Sequence, residues 1–201
     1  MRFTVPIVII LLIYGCKPRE VPDQILKDVD SIVIKYVPDK REGILGLSLK
    51  LFKDEKILIK GETNIREAKN EIISYITESG FEFYDSLQVI PDPDEIDKPW
   101  GLVSVSVCNL KKNPSHASEL VSQAIMGTPV KILKNRGNWL LVQTPDYYIG
   151  WVTESGISER DEKEIKEWKQ SDRLIFTAKS GDILSERWVP KWFQILYQGQ
   201  L

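Results

Sequence analysis

The sequence predicts an α+β protein: a small sheet-and-helix unit, then a small closed β-barrel, then an incomplete C-terminal extension. Three observations point there. Apolar and polar residues alternate strictly in "ILGLSLKLF" and "KILIKG", as in a half-buried antiparallel sheet. The next stretch, "TNIREAKNEIISYITESG", carries its apolar residues at helical spacing. Beyond the proline- and acid-rich "PDPDEIDKPWG", the chain breaks into short strands separated by turn sequences.

The first fifteen residues hold a basic Arg2, a short apolar run from Val5 to Tyr14 and small Gly15, the layout of an export signal. The run is about half of the roughly 20 apolar residues that span a bilayer. Cys16 directly follows Gly15, so the stretch resembles a bacterial lipoprotein processing site at which Cys16 is lipidated; residues 16–30 then form a polar tether. Residues 31–92 make the α+β unit. In it "SIVIKYVPD" is a strand, and "GLSLKLFKDEKILIKGE" is a hairpin turning at Lys53 to Glu55. A helix follows, capped by Thr63 or Asn64 with Glu67 three residues on, carrying Ile65, Ala68, Ile72, Ile73 and Ile76 inward and ending at Gly80. "FEFYDSLQVIPD" returns as a strand, and 93–99 is a linker.

Residues 100–157 form the barrel, with "NRGN" and "TPDY" as hairpin turns and Trp139, Ile149 and Trp151 as its core. In 158–201 a surface helix is expected, with Ser158 as cap and Ile165, Trp168 and Leu174 inward. After it, Trp188, Trp192, Phe193 and Tyr197 have little sequence to cover them, which implies docking on the barrel or a protein partner at this aromatic segment.

The chain has 201 residues, 42% of them apolar and 28% charged, with a formal net charge of -2. So weak a global charge, without a basic patch interleaved with aromatics, argues against nucleic acid as a partner. Cys108 and His116 are the candidates for a thiol nucleophile and its base, but Cys108 sits out of phase with Val103, Val105 and Val107 in a strand, where a small hydrophobe is expected. His116 falls in the polar loop "NPSHASEL". Asp92, Asp94, Glu95 and Asp97 lack the spacing of a calcium loop and read as a solubilising hinge. With no glycine-rich phosphate loop either, no catalytic residue, metal site or cofactor is expected.

The stretch "VSVCNLKKNPSHASELVSQAIMGTPVKILKNRGNWLLVQTPDYYIGWV" closely resembles the first bacterial SH3-like domain of NlpC/p60-type murein endopeptidase lipoproteins of Bacteroidetes. "KGETNIREAKNEIISYITESGFEFYDSLQVIPD" resembles the α+β unit that precedes it, and "SDRLIFTA" the entry to a second, here truncated, SH3-like domain. The family's full-length members are similar to γ-D-glutamyl-L-diamino acid endopeptidases, whose cysteine and histidine lie in a C-terminal papain-like domain that this sequence does not contain. The resemblance implies a ligand role for Tyr148, the tyrosine before the glycine-tryptophan pair, which in the family touches the amino end of the peptide. Glu119 is a second candidate ligand residue, and Tyr147 stands where such domains often have glycine. The expected function is a noncatalytic murein- or peptide-binding accessory lipoprotein of the cell envelope, lipid-anchored after export. Its alternative is the targeting and substrate-cleft part of such an endopeptidase whose papain-like domain is absent or separately encoded.

Overall fold

The structure, a computed structural model, describes residues 20–52 and 54–172. It opens on helix α1 (Asp23–Tyr36), then strands β1 (Leu45–Leu51) and β2 (Ile57–Thr63), helix α2 (Arg66–Glu78) and strand β3 (Phe83–Val89). The order in this sheet is β1-β2-β3, with β1 and β2 antiparallel and β2 and β3 parallel. The expected all-antiparallel pairing is thus corrected at β3: α2 carries the chain back to the starting end of β2, and a strand laid down after such a crossover runs parallel.

Of the stretch expected as the strand "SIVIKYVPD", the residues up to Tyr36 are instead the end of α1. Ile25, Val29 and Ile32 recur at helical spacing and are buried, although β-branched residues weaken helix propensity. They pack with Ala68, Ile72 and Ile76 of α2 over Leu45, Ile57, Ile59 and Leu87 of the sheet, which makes the first core. The hairpin turn between β1 and β2 falls where the sequence places it. Helix α2 ends at Gly80, whose φ of +79° is the left-handed conformation a glycine stop requires. Its cap differs from expectation: Asn64 accepts the Ile44 amide at 2.8 Å, and Thr63 donates to the Ile44 carbonyl at 2.8 Å. Both side chains thus tie the loop before β1 to the end of β2.

The second unit comprises β4 (Trp100–Val103), β5 (Val107–Lys111), β6 (Leu120–Ile125), β7 (Pro129–Arg136), β8 (Trp139–Gln143), β9 (Ile149–Thr153) and β10 (Ile157–Arg160), then α3 (Glu162–Gln170). These strands form one antiparallel sheet in the order β10-β4-β7-β8-β9-β5-β6. The closed barrel expected from the spacing and the family resemblance is corrected here, because β10 and β6 end the sheet without pairing to each other. The short helical turn at Glu154–Gly156, between β9 and β10, lies against Cys108 and Val105. One cap also moves. Asp161, not Ser158, accepts the Glu164 amide at 2.8 Å in a capping box, while Ile165 and Trp168 are buried as expected. Leu174 lies outside the described residues.

The sheet of the second unit is apolar on both faces. Ile132, Leu140, Val142 and Val152 line its concave side with Leu110 and Cys108. Leu133, Leu141, Ile149 and Trp151 lie on the other side and pack against Ile44 and Ile90 of the first unit. Ile149 and Trp151 therefore belong to the junction of the two units and not to a barrel core. Polar contacts rim this junction: Asn64 donates to Gln143 at 3.4 Å, Gln143 to the Glu42 carbonyl at 3.0 Å, and Lys134 pairs with Glu62 at 2.5 Å. Among the described residues no helix is long and apolar enough to cross a membrane.

Ile90 is 2% exposed, so Ile90→Ala is expected to lower unfolding free energy by about 2–5 kcal/mol. Urea denaturation measures this, and a change under about 1 kcal/mol would show that the junction contributes no core.

Candidate functional site

The β8–β9 hairpin builds the site from its turn outward. Tyr147 donates its amide to the Thr144 carbonyl at 2.9 Å, and the Thr144 amide and hydroxyl donate to the Tyr148 carbonyl at 3.0 and 3.1 Å. This is a type I turn closed by a left-handed residue, the common three-residue hairpin loop. The left-handed residue is Tyr147, at φ +71°, so the position where related domains often carry glycine has the conformation that favours glycine. Tyr147 projects into solvent, while Tyr148 is half-buried. Two residues on, Gly150 lets β9 approach β5, because a Cβ there would lie 2.7 Å from that of Leu110.

A loop of the first unit, between α1 and β1, clasps this hairpin. Ile149 donates its amide to the Arg41 carbonyl at 2.7 Å, and Gln143 bridges the Glu42 and Tyr147 carbonyls at 3.0 and 3.1 Å. The Arg41 guanidinium lies 5.5 Å from the centre of the Tyr148 ring, within range of a cation–π contact. Asp39 holds that guanidinium with a shortest contact of 2.6 Å and also accepts the Arg41 amide at 2.9 Å. The Arg41 side chain, then its amide, hold the Asp39 carboxyl at a pKa of about 2. The same hydrogen bond raises the pKa of Arg41. Because the Asp39 pKa is depressed on folding, the pair's stabilisation is present above the ordinary value of 3.8 and is lost as pH falls toward about 2. Among the described residues the Tyr148 hydroxyl has no hydrogen-bond partner, which leaves it available at the rim.

Glu119, directly before β6, pairs with Lys112 at 3.1 Å, and both side chains are mostly exposed. No hydrogen bond or ion pair joins it to Tyr148, and β5 lies between β9, which Tyr148 precedes, and β6, which Glu119 precedes. Cys108 is buried in the concave core, and desolvation pushes its thiol pKa up, the reverse of what a thiolate nucleophile needs. His116 is exposed, and its ring lies against Trp139 with centroids 4.9 Å apart. Trp139 is therefore placed beside a surface imidazole and not in the barrel core expected from the sequence. Among the described residues no group of His, Cys, Asp or Glu is arranged to hold a metal ion.

Cys16 lies outside the described residues, as does the aromatic segment Trp188 to Tyr197. The expectation of an aromatic protein-partner surface is corrected: ring contacts among the described residues are the separate pairs Phe52–Tyr84 and His116–Trp139, with no larger aromatic cluster. Asp39, Arg41 and Gln143 carry no site signal in the sequence, and Asn64 reads there only as a helix cap. "PDKREG" signals a turn, but no local pattern says that this turn meets a hairpin about a hundred residues later.

Residues 110–157 match the family model described as the bacterial dipeptidyl-peptidase Sh3 domain. This segment, from β5 to the start of β10, is thus an SH3-like domain whose sheet is open. A solved NlpC/P60 endopeptidase from Photobacterium damselae subsp. piscicida aligns with 76% of this chain at 14% identity and a TM-score of 0.35. The chain covers 40% of that endopeptidase, less than half its length. The comparison with curated proteins gave no match.

Tyr147→Gly is expected to stabilise the protein by up to about 1 kcal/mol, since relief of left-handed strain exceeds the entropy cost of glycine. Thermal unfolding would then shift up by about 2–4 °C, and a downward shift would contradict the strain reading. In Arg41→Ala, the Asp39 carboxyl is expected to titrate above about 2 but below its ordinary 3.8, because the amide at position 41 still donates to it, as followed by NMR.

Proposed function

We propose that this chain is a noncatalytic accessory lipoprotein module of the bacterial cell envelope that binds murein stem peptides, with Tyr148 as one wall of the peptide site. The supporting observation is the match of residues 110–157 to a bacterial dipeptidyl-peptidase Sh3 domain, a segment that contains both Tyr148 and Glu119. Tyr148 has the physical form such a role needs. Its ring is fixed from the first unit by Arg41, and its hydroxyl meets no protein partner among the described residues. In this proposal a free peptide amine meets this hydroxyl and Glu119 supplies a carboxylate from the start of β6, while lipid on Cys16 holds the module at the membrane. The burial and raised pKa of Cys108, with His116 elsewhere on the surface, support a binding role for these domains over thiol chemistry.

The test is a pulldown of the mature full chain on purified murein. Wild type is expected to be retained, and Tyr148→Ala to bind about tenfold more weakly, a loss of about 1.4 kcal/mol, with its unfolding midpoint nearly unchanged. Murein that retains no wild-type protein would overturn the proposal.

A further inference from the structure

We infer that the solvent face of the three-stranded sheet is a second site, a platform for a glycan strand that bears carboxylates. Helices α1 and α2 cover one face of this sheet. Register places Lys50, Leu58 and Tyr84 side by side across the other face, with Ser48, Lys60 and Ser86 as the next row. Phe52 stands at the hairpin end of the same face, its ring edge-on to Tyr84 with centroids 5.8 Å apart. Both rings are 46% exposed, and no core lies on this side to account for two aromatic residues. The Tyr84 ring is also fixed in place: its hydroxyl donates to Asp54 at 2.9 Å, and the Lys56 ammonium lies 5.5 Å from its centre. A fixed, exposed ring beside serine hydroxyls suits a pyranose, whose C–H face stacks on the ring while its hydroxyls bond at the edge.

The charge of the face selects among glycans. Lys56 is neutralised by Glu82 at 2.7 Å, and Glu62 is engaged by Lys134 at 2.5 Å. Lys50 and Lys60 are exposed and have no ion-pair partner among the described residues. Two ammonium groups without an ion-pair partner therefore lie on this face, one on each of two adjacent strands about 4.8 Å apart, against the single Asp54 carboxylate that the Tyr84 hydroxyl occupies. A sugar polymer bearing carboxylates at intervals satisfies both features, whereas a neutral glycan leaves the lysines unused. Nucleic acid is also anionic, but edge-to-face rings do not provide successive stacking platforms for its bases.

The experiment titrates peptide-free murein glycan strands, in which each muramic acid carries a free carboxylate, into the mature full chain. Wild type is expected to bind, Tyr84→Ala to weaken binding about tenfold, and the double variant Lys50→Gln, Lys60→Gln to weaken it several-fold and flatten its salt dependence. Tyr148→Ala is expected to bind the strands like wild type, which keeps this site distinguishable from the peptide site. The inference is overturned by no wild-type binding, full binding by Tyr84→Ala, equal affinity for uncharged chitin oligosaccharides, or tighter binding of single-stranded DNA. A loss in Tyr148→Ala equal to that in Tyr84→Ala would overturn it as well.

Discussion

The apolar junction between the two units carries the rest of the structure. Ile44 and Ile90 on one side, and Leu133, Leu141, Ile149 and Trp151 on the other, bury the outer face of β7, β8 and β9. A sheet buried on both faces has near-continuous apolar strands, which explains "VKIL" and "WLLV". An open seven-stranded sheet with that face exposed would present a large apolar patch to water. The first unit covers it, and in doing so brings the Arg41 loop onto the β8–β9 hairpin. Tyr148 thus acquires its partner from a segment more than a hundred residues earlier. Neither unit alone contains the Arg41–Tyr148 stack.

This arrangement explains why so much of the fold, and so little of the site, is legible in the sequence. The β1–β2 hairpin and α2 follow from local alternation and helical spacing, and both are where those patterns put them. Helix α1 was hidden because its apolar stripe begins at Ile25, inside a segment that reads as a tether, and continues through β-branched residues that read as strand. Cys108 is the buried small hydrophobe expected of a free cysteine in a strand, but alternation alone does not show why. Alternation carried from Val103 through Val107 implies one continuous strand, but a bend at Val105 and Ser106 separates β4 from β5 and resets the phase. Val107 consequently faces water and Cys108 the core.

The open sheet and the tyrosine clasp belong to a different level. Whether β10 and β6 pair depends on how far the sheet coils, and strand spacing does not encode that. Arg41 is one of many charged turn residues in the sequence. Its distinction comes from the junction, which fixes its carbonyl on Ile149 and its guanidinium over Tyr148. The family resemblance pointed to Tyr148 and marked Tyr147 as a place where such domains often have glycine, without giving the conformation of the turn, in which Tyr147 has a φ of +71°. It did not supply the residues that hold the tyrosine in place.

Native-state hydrogen exchange at the Ile149 amide tests most directly whether the two units are welded into one body. That amide donates to the Arg41 carbonyl at 2.7 Å across the junction. If the junction is a true core, Ile149 exchanges as slowly as amides in the centres of both sheets and opens with global unfolding. Rapid exchange at Ile149, while those central amides stay protected, would mean that the units open independently and that the Tyr148 site is not a shared construction.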